Sequence, residues 1–276
     1  MPSQECHVII FVMPIITLTT DFGNDDPFDG VMKGVILNIC SDVEIVDLTH
    51  NVSPQDIYQA NFLLGACYHY FPQGTIHVCV VDPGVGSLRK PVLIQTKKYF
   101  FIGPDNGLFT SVLEKEEIVN VVELTEKKYW LPTVSQTFHG RDIFAPVSAH
   151  LARCTVETPH RGVSNFGKPI NERDLVKLKL NKPIKTESGY KGVIQYIDHF
   201  GNLISNISGD LINGKIKGKI KELDFDGLVS SFADAKEGKL TAIKGSSGYI
   251  ELFVYKGNAQ VFASVKVGDE VEIALI

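Results

Sequence analysis

The sequence predicts two domains, an N-terminal layered α/β sheet domain and a smaller C-terminal all-β barrel or sandwich domain. Between residues 13 and 158, strand-like apolar stretches alternate with stretches that have apolar residues at helical spacing. This alternation is typical of a mainly parallel sheet covered by helices. From residue 189 to 276, short strand patterns are separated by glycine-containing turns, which favours a small barrel or sandwich. The segment 159–188 has no strong period and is predicted to be a linker.

In the first domain, strand patterns end at polar residues and helical patterns follow them. Strands are predicted at 15–19, 45–48, 75–81, 91–96, 99–102 and 120–124. Helices are predicted at 30–39, 53–68, 108–113 and 140–152. The second helix is expected to begin with Ser53 as its N-cap and Pro54 at its first helical position, an arrangement that suits both residue types.

The second domain is predicted to consist of strands alone. They are expected at 192–197, 203–207, 218–225, 248–255, 258–264 and 270–275.

Composition narrows the class of protein. With 44% hydrophobic and 21% charged residues, the chain has the composition of a soluble globular protein. Its net charge of −5 gives no indication of nucleic-acid or membrane-surface binding. Five cysteines without a CxxC pair favour reduced thiols and a cytoplasmic location, and they argue against a structural zinc site.

The N-terminal apolar stretch 8–16 is broken by Pro14 and has no basic region before it. It is too short to span a membrane and does not have the pattern of a signal peptide. The first twelve residues are interpreted either as an extension or as preceding a true start at Met13.

Three stretches place polar residues where a strand ends or a helix begins. The strand pattern over 76–81 breaks at Asp82, with Arg89 a few residues on, and the first strand runs into Asp21. His139 lies just before the predicted fourth helix. Because ligands of open α/β sheets bind at the carboxyl ends of strands, we expect the three stretches to meet at one site.

Asp21 has two interpretations. A carboxylate at a strand end can accept two hydrogen bonds from a ribose diol, and the same residue type commonly caps a helix or turn. Asp25, Asp26 and Asp29 lie nearby, so a Mg²⁺ site is an alternative. Their spacing is not that of an EF-hand loop.

Asp82, Arg89 and His139 are candidates for acid–base chemistry. An arginine would hold Asp82 ionised, and a histidine within reach could orient or deprotonate a water. Taken singly, the same residues could be a turn aspartate, a surface arginine and a core histidine. The loop after Asp82 lacks the Lys-Ser/Thr of a phosphate-binding loop.

Two turns of the second domain carry further candidates. Asp198 and Asn202 flank a turn in which the amide of Asn202 can both donate and accept hydrogen bonds, although a Gly-Asn pair also favours a turn unaided. The stretch 245–249 is a second turn, and Glu251 and Val254 lie on the strand that follows it.

Six ordered motifs together resemble the S-adenosyl-L-methionine hydrolases, or hydroxide adenosyltransferases, which are related to the fluorinating and chlorinating enzymes. The similarity runs from about Ile15 to the C-terminus. The motifs are Leu18-Thr-Thr-Asp-Phe-Gly23, Val46-Asp-Leu-Thr-His50, Val81-Asp-Pro-Gly-Val-Gly-Ser87, Gly103-Pro-Asp-Asn-Gly107, Thr137-Phe-His-Gly-Arg-Asp142 and Asp198-His-Phe-Gly-Asn202.

The resemblance implies hydrolysis of S-adenosyl-L-methionine to adenosine and L-methionine by attack of water or hydroxide at ribose C5′, without a metal or cofactor. It implies Asp82, Arg89 and His139 as catalytic residues and Asp21 as the residue that holds the ribose hydroxyls. It also implies a homotrimer whose sites lie between the first domain of one subunit and the second domain of the next. The other implied substrate-binding residues are Asp82, Phe138, Asp198, Phe200, Asn202, Ser246, Tyr249, Glu251 and Val254.

The chain departs from the halogenating relatives at three positions. They carry an aromatic residue at the position of Asp82 and a tryptophan at that of Gln55, and the fluorinating enzymes carry a serine at that of Gly140. Since a carboxylate at position 82 would repel a halide, halide transfer is the less favoured activity.

The residues are also compatible with a metal-dependent phosphatase that uses the acidic segment 21–29, and with a non-catalytic binder of adenosine or adenosylmethionine. The expected partners are the small-molecule substrate and copies of the same chain, with no nucleic acid and no membrane.

Overall fold

The computed structural model describes residues 13–157 and 163–276. The chain divides into two compact units, the first ending at Leu178 and the second comprising Lys179–Ile276. The predicted extension over residues 1–12 lies outside the described residues. Within the two described ranges, no helix has the length and apolar character needed to cross a membrane.

A seven-stranded sheet forms the centre of the first unit. Its strands are β1 (Ile15–Thr20), β2 (Glu44–Thr49), β3 (Ile76–Val80), β4 (Pro91–Thr96), β5 (Phe100–Pro104), β6 (Ile118–Leu124) and β7 (Gly167–Pro169). In the order β2-β1-β3-β5-β4-β6-β7, pairing is parallel from β2 to β5 and antiparallel from β5 to β7. The expectation of a mainly parallel sheet is therefore wrong for half of it, because the short turn between β4 and β5 allows only antiparallel pairing.

Helices cover both faces of this sheet. They are α1 (Phe28–Ile39), α2 (Ile57–Cys67), α3 (Thr110–Lys115) and α4 (Ala145–Glu157), which continues from a π-helical turn at Gly140–Phe144. Alternate side chains of β3 face opposite cores: Val78 and Val80 pack with residues of α1 and α4, and Cys79 packs with residues of α2 and α3. A strand buried on both faces explains the unbroken apolar run in this part of the sequence.

The second helix begins later than predicted. Its N-cap is Asp56, whose carboxylate accepts the backbone N–H of Gln59 at 2.9 Å. Ser53 and Pro54 lie in the preceding turn, since Gln55 has φ 66°, a left-handed conformation that cannot continue an α-helix.

Residues 163–178, part of the predicted linker, pack on the first unit. Val163 and Phe166 are buried in the core on the α1 and α4 side, and Leu175 is buried on the opposite side. Strand β7 pairs with β6. This segment is built of short 3₁₀ turns and a three-residue strand, so no regular period is present in its sequence.

The second unit is an all-β sheet of nine strands with one short helix, α5 (Ala259–Ala263). The strands are β8 (Ile184–Lys185), β9 (Gly189–Ile197), β10 (Leu203–Ser208), β11 (Ile216–Ile220), β12 (Leu223–Asp226), β13 (Leu228–Val229), β14 (Leu240–Lys244), β15 (Tyr249–Val254) and β16 (Glu270–Leu275). The order is β12-β11-β16-β9-β10-β15-β14-β13, with β8 beside β9. Because β12 approaches β14, the sheet curls into a nearly closed barrel.

Two predicted strands of this unit are wrong. The segment 258–264 is α5, in which Asn258 caps the helix by accepting the N–H of Val261 at 2.8 Å. The segment 218–225 is the β11–β12 hairpin, which turns at Lys221 with φ 50°. In both segments local hydrogen bonding and a left-handed residue decide the conformation, and neither is visible in hydrophobic periodicity.

Candidate active site

The candidate site of the first unit lies at the carboxyl ends of its central parallel strands. Asp21 follows β1 and Asp82 comes two residues after the end of β3, the strand paired with β1. Both carboxylates therefore emerge at the same edge of the sheet, where open α/β sheets bind ligands.

A single guanidinium connects the predicted catalytic residues. Nε of Arg89 donates to Oδ1 and Oδ2 of Asp82 at 3.0 and 2.9 Å, and Nη2 donates to Oδ2 as well. Nη2 also donates to Nδ1 of His139 at 2.7 Å. The side chains of Arg89 and Asp82 are only 8% and 6% exposed, so water screens this charge-assisted pair weakly.

The contact with Arg89 defines the protonation state of His139. A guanidinium only donates, so Nδ1 must accept, and the neutral ring carries its proton on Nε2. Burial, and next the positive charge of Arg89, lower the pKa of His139 below its usual range. The imidazole is therefore neutral near pH 7.

Gly86 allows the two loops of this site to pack closely. It has φ 76°, and a Cβ built there would lie 2.5 Å from the backbone oxygen of Gln136. Only glycine combines this conformation with such an approach. The loop between Asp82 and Arg89 is thereby held against the segment that precedes His139.

An aromatic cluster adjoins the catalytic candidates. Phe138, predicted to contact substrate, packs edge-to-face on Phe22 and Phe28 with ring centroids 5.6 and 5.4 Å apart. The sequence predicts neither Phe22 nor Phe28 as a site residue, although Phe22 lies inside the motif that ends at Gly23. Phe28 remains 42% exposed.

Asp21, the predicted ribose ligand, is oriented by the protein backbone. Its Oδ2 accepts the N–H of Gln55 at 2.8 Å, and the residue as a whole is half-buried. Gln55 has φ 66° and delays the start of α2, so the turn before the helix provides this contact to Asp21.

The acidic segment after β1 gives limited support to a metal site. Asp25 and Asp26 are exposed. Asp29, Asp47 and His50 each bring one ligand atom within 4.8 Å of the others. However, the ammonium of Lys33 donates to Asp29 at 2.9 Å and to Asp47 at 2.6 Å. This lysine already supplies positive charge between the two carboxylates.

In the second unit, Asp198 and Asn202 form a closed turn. Oδ1 of Asp198 accepts the backbone N–H groups of Phe200 and Asn202 at 2.9 and 2.8 Å, and Oδ2 accepts the Asn202 amide at 2.9 Å. The turn displays Phe200, whose side chain is 72% exposed. The structural and the ligand-binding interpretations of these residues are thus compatible.

Glu251 lies near this turn on β15. It is 8% exposed, and Ser247, which the sequence reasoning missed, donates to its Oε1 at 3.4 Å. Burial, and next the negative charge of Asp198, raise the pKa of Glu251. Strand β10, which begins just after Asn202, pairs with β15 and so brings the turn and Glu251 together.

The remaining predicted residues are spread along the β14–β15 connection and β15 itself. Ser246 is exposed in the turn, and Tyr249 is half-buried at the start of β15. Val254, at its end, is 7% exposed and packs in the core of the second unit. Its predicted contact with substrate stays a prediction.

Comparison with known proteins agrees with the motif-based resemblance. Residues 16–160 match the family model described as the SAM hydroxide adenosyltransferase N-terminal domain, and residues 192–272 match that of the C-terminal domain.

Individual relatives are similar to this chain over most of its length. The (R)-S-adenosyl-L-methionine hydrolase of Methanocaldococcus jannaschii is 36% identical over 95% of this chain and 96% of its own. A fluorinase from an Actinoplanes species is 30% identical over 87% and 90%. A crystal structure of an uncharacterized conserved protein from Thermotoga maritima superposes with a TM-score of 0.87 at 33% identity, covering 94% of this chain and 99% of that protein. The chain belongs to the SAM hydroxide adenosyltransferase family, which is related to the fluorinases.

Proposed function

We propose that this chain hydrolyses S-adenosyl-L-methionine to adenosine and L-methionine. Family membership supports the substrate and the reaction. The observation that carries the proposal at the level of chemistry is the buried guanidinium of Arg89, which joins the Asp82 carboxylate to the His139 imidazole. A simple ribose-binding site needs Asp21 but not this arrangement.

The reaction is a displacement at C5′ of the ribose. The oxygen of a water molecule forms a bond to C5′ while the C5′–S bond breaks, and sulfur leaves with the electron pair as the thioether of methionine. One water proton stays on the new 5′-hydroxyl and the other passes to Asp82. Because Nδ1 of His139 is engaged by Arg89, we assign proton acceptance to Asp82 and orientation of the water to His139.

Charge neutralisation favours this step in a dry pocket. A sulfonium cation and a hydroxide-like oxygen lose their charges as the transition state is reached, so exclusion of water lowers the barrier. Arg89 and Asp82 balance each other's charge within the site, which leaves the attraction between nucleophile and sulfonium undisturbed.

Substrate recognition is proposed to use both units. Asp21 would accept hydrogen bonds from the ribose hydroxyls. The Asp198–Asn202 turn, with Phe200, and the segment from Ser246 to Val254 would contact the adenine and methionine ends. These roles rest on the family resemblance and on the residues' position at two polar turns.

We further propose a metal-independent homotrimer in the cytoplasm, with each site formed by the first unit of one subunit and the second unit of the next. Lys33, lying between Asp29 and Asp47, supports metal independence because it supplies a cation from the chain itself. Four free cysteines among the described residues, Cys40, Cys67, Cys79 and Cys154, are compatible with a reducing compartment.

The proposal is tested by liquid chromatography of the purified protein after incubation with adenosylmethionine and EDTA, with and without chloride. Adenosine and methionine should appear in equal amounts, unaffected by EDTA. Loss of product with EDTA would support a metal-dependent enzyme. A 5′-chlorinated adenosine formed only with chloride would support halide transfer, and unchanged substrate that co-elutes with the protein would support a binder.

A further inference from the structure

Two threonines of β1 each form a buried pair with a histidine from outside that strand, and the two pairs have different surroundings. Oγ1 of Thr20 lies 2.8 Å from Nδ1 of His50, and Oγ1 of Thr17 lies 2.8 Å from Nδ1 of His77. The first pair is at the end of β1 next to Asp21, and the second is in the middle of the strand. We propose that His50 is a positioning residue that holds the turn bearing Asp21, an inference that rests on the proposed function.

Contacts of Thr20 extend directly into this turn. Its Oγ1 accepts the backbone N–H of Phe22 at 3.3 Å, so its hydroxyl hydrogen is free to point at Nδ1 of His50. The backbone of His50 accepts the N–H of Gly23 at 2.8 Å. Asp21 therefore lies between Thr20, whose hydroxyl contacts the His50 side chain, and Gly23, whose N–H is bound by the His50 backbone.

The other side of the imidazole faces charged groups, although Nε2 makes no hydrogen bond to any of the described residues. Nε2 of His50 lies 3.0 Å from Oδ1 of Asp47 and 3.6 Å from Oδ2 of Asp29. With Nδ1 accepting from Thr20, the ring proton is on Nε2 and faces these carboxylates. Lys33 offsets their negative charge. His50 is 4% exposed, so little freedom is left to the ring.

This arrangement reaches the chemistry through Phe22. The Phe22 ring packs edge-to-face on Phe138, the residue before His139. A displacement of the turn would move the Asp21 carboxylate and also the packing beside His139. Small displacements of positioning groups can cost about 10²-fold in rate.

The pair of Thr17, on β1, and His77, on β3, is a matched control. Both residues are fully buried, and the ring of His77 packs among Tyr68, Tyr99 and Phe101. Burial lowers the pKa of His77 to about 3, so this pair is a neutral hydrogen bond. It has the same chemistry without a connection to the turn.

The first test compares Thr20→Val with Thr17→Val in the full-length protein. Both changes remove one buried hydroxyl, so both should lower the melting temperature by a similar amount. Only Thr20→Val should reduce kcat/KM, by about 10- to 100-fold, mainly through a higher KM. Thr20→Ser, which keeps the hydroxyl, should restore wild-type kinetics. Equal kinetic losses in the two valine variants, or none in Thr20→Val, would overturn the proposal.

The second test separates the two sides of the ring. The oxygen of His50→Asn can replace Nδ1 as acceptor for Thr20, whereas His50→Gln reaches toward Asp47 instead. We expect His50→Asn to keep kcat/KM within a few-fold of wild type and His50→Gln to lose as much as Thr20→Val. The reverse order, or equal values, would contradict the proposed role.

Adenosine affinity, measured by calorimetry on the same variants, distinguishes this proposal from the hydrolase proposal. Asp21 is expected to bind the ribose whether or not turnover occurs. If the wild type binds adenosine but releases no product, the hydrolase proposal fails. The adenosine affinities of the variants then still test the positioning role of His50. If Thr20→Val binds adenosine as tightly as Thr17→Val, the positioning role fails alone.

Discussion

At the scale of single residues, the proposed mechanism gives Asp82, Arg89 and His139 different tasks. Arg89 is a donor to both neighbours, so it cannot take up a proton, and its contact with His139 leaves Asp82 as the group with free lone pairs. None of the three residues can perform the task of another, so a variant at each position tests one task.

Asp82→Asn should reduce kcat by roughly 10²–10⁴, the usual contribution of a positioned general base. The amide keeps the shape of the side chain but cannot accept the water proton, so the adenosine dissociation constant should change little. Single-turnover kinetics with adenosylmethionine measures the effect. Lys98→Ala, at a distant exposed turn, is a control that should keep full activity. An Asp82→Asn enzyme with wild-type kcat would contradict the assigned role.

The pH dependence of kcat/KM should reflect His139. Its pKa is lowered by burial and by Arg89, so the active neutral form persists below the ordinary histidine value of about 6.5. As the pH falls through the lowered pKa, Nδ1 gains a proton that faces the Arg89 guanidinium, and activity declines. A kcat/KM profile with its acidic limb at or above about pH 6.5 would be inconsistent with this environment. His139→Asn, which does not titrate, should lack that limb.

The sequence predicts that the three proposed catalytic residues meet, but it does not predict the residues that support the site. Asp82, Arg89 and His139 follow or precede recognisable elements, so their convergence was predictable from sheet topology. Gln55 and Thr20 act through a left-handed backbone and a buried hydroxyl, properties that depend on tertiary contacts. Residue type alone carries no signal for either.

At the scale of elements, the loop after β3 and the segment before the π-helical turn form one packed body. Gly86→Ala would force a Cβ to within 2.5 Å of the Gln136 oxygen, and the loops must separate to relieve it. Activity should fall by about 10²-fold or more, since misplacement of catalytic groups by about 1 Å is costly. Steady-state kinetics and the melting temperature measure the effect.

The control for that change is Gly74→Ala. Gly74 has φ 92° and no atom within 4 Å of the added Cβ, so it tests the left-handed conformation without the collision. We expect a stability loss of about 1–2 kcal/mol and unchanged kcat/KM. Equal kinetic losses in the two variants would show that backbone strain, not loop separation, is responsible.

Most helices and strands were predictable because they alternate regularly. Three of the failures share a physical cause. The late start of α2, the helix at α5 and the hairpin turn at Lys221 are each decided by caps or left-handed residues. Capping hydrogen bonds outweigh intrinsic propensity in short segments, and hydrophobic periodicity does not report them.

At the scale of the whole molecule, the proposed inter-subunit sites predict complementation. Asp82→Asn alters only the first unit and Asn202→Ala only the second, so each homo-oligomer should be inactive. When the two variants are co-expressed and mixed trimers are isolated with two affinity tags, one of the three sites in each mixed trimer should combine two intact units. Those samples should recover a corresponding fraction of activity.

Light scattering on the same samples measures the oligomer size. A monomer would contradict the trimer, and mixed oligomers that stay inactive would place both units of each site in one subunit. Separately purified variants that are mixed without subunit exchange are the control and should remain inactive.

The pairing of Asp82 with Arg89 also has an evolutionary consequence. Loss of the carboxylate would leave a guanidinium that is only 8% exposed without its counter-ion, and a buried unpaired charge is costly until another anion arrives. One nucleotide change converts an aspartate codon into a tyrosine codon. A lineage that uses water could therefore acquire an anion-attracting pocket in one mutational step, with Arg89 retained.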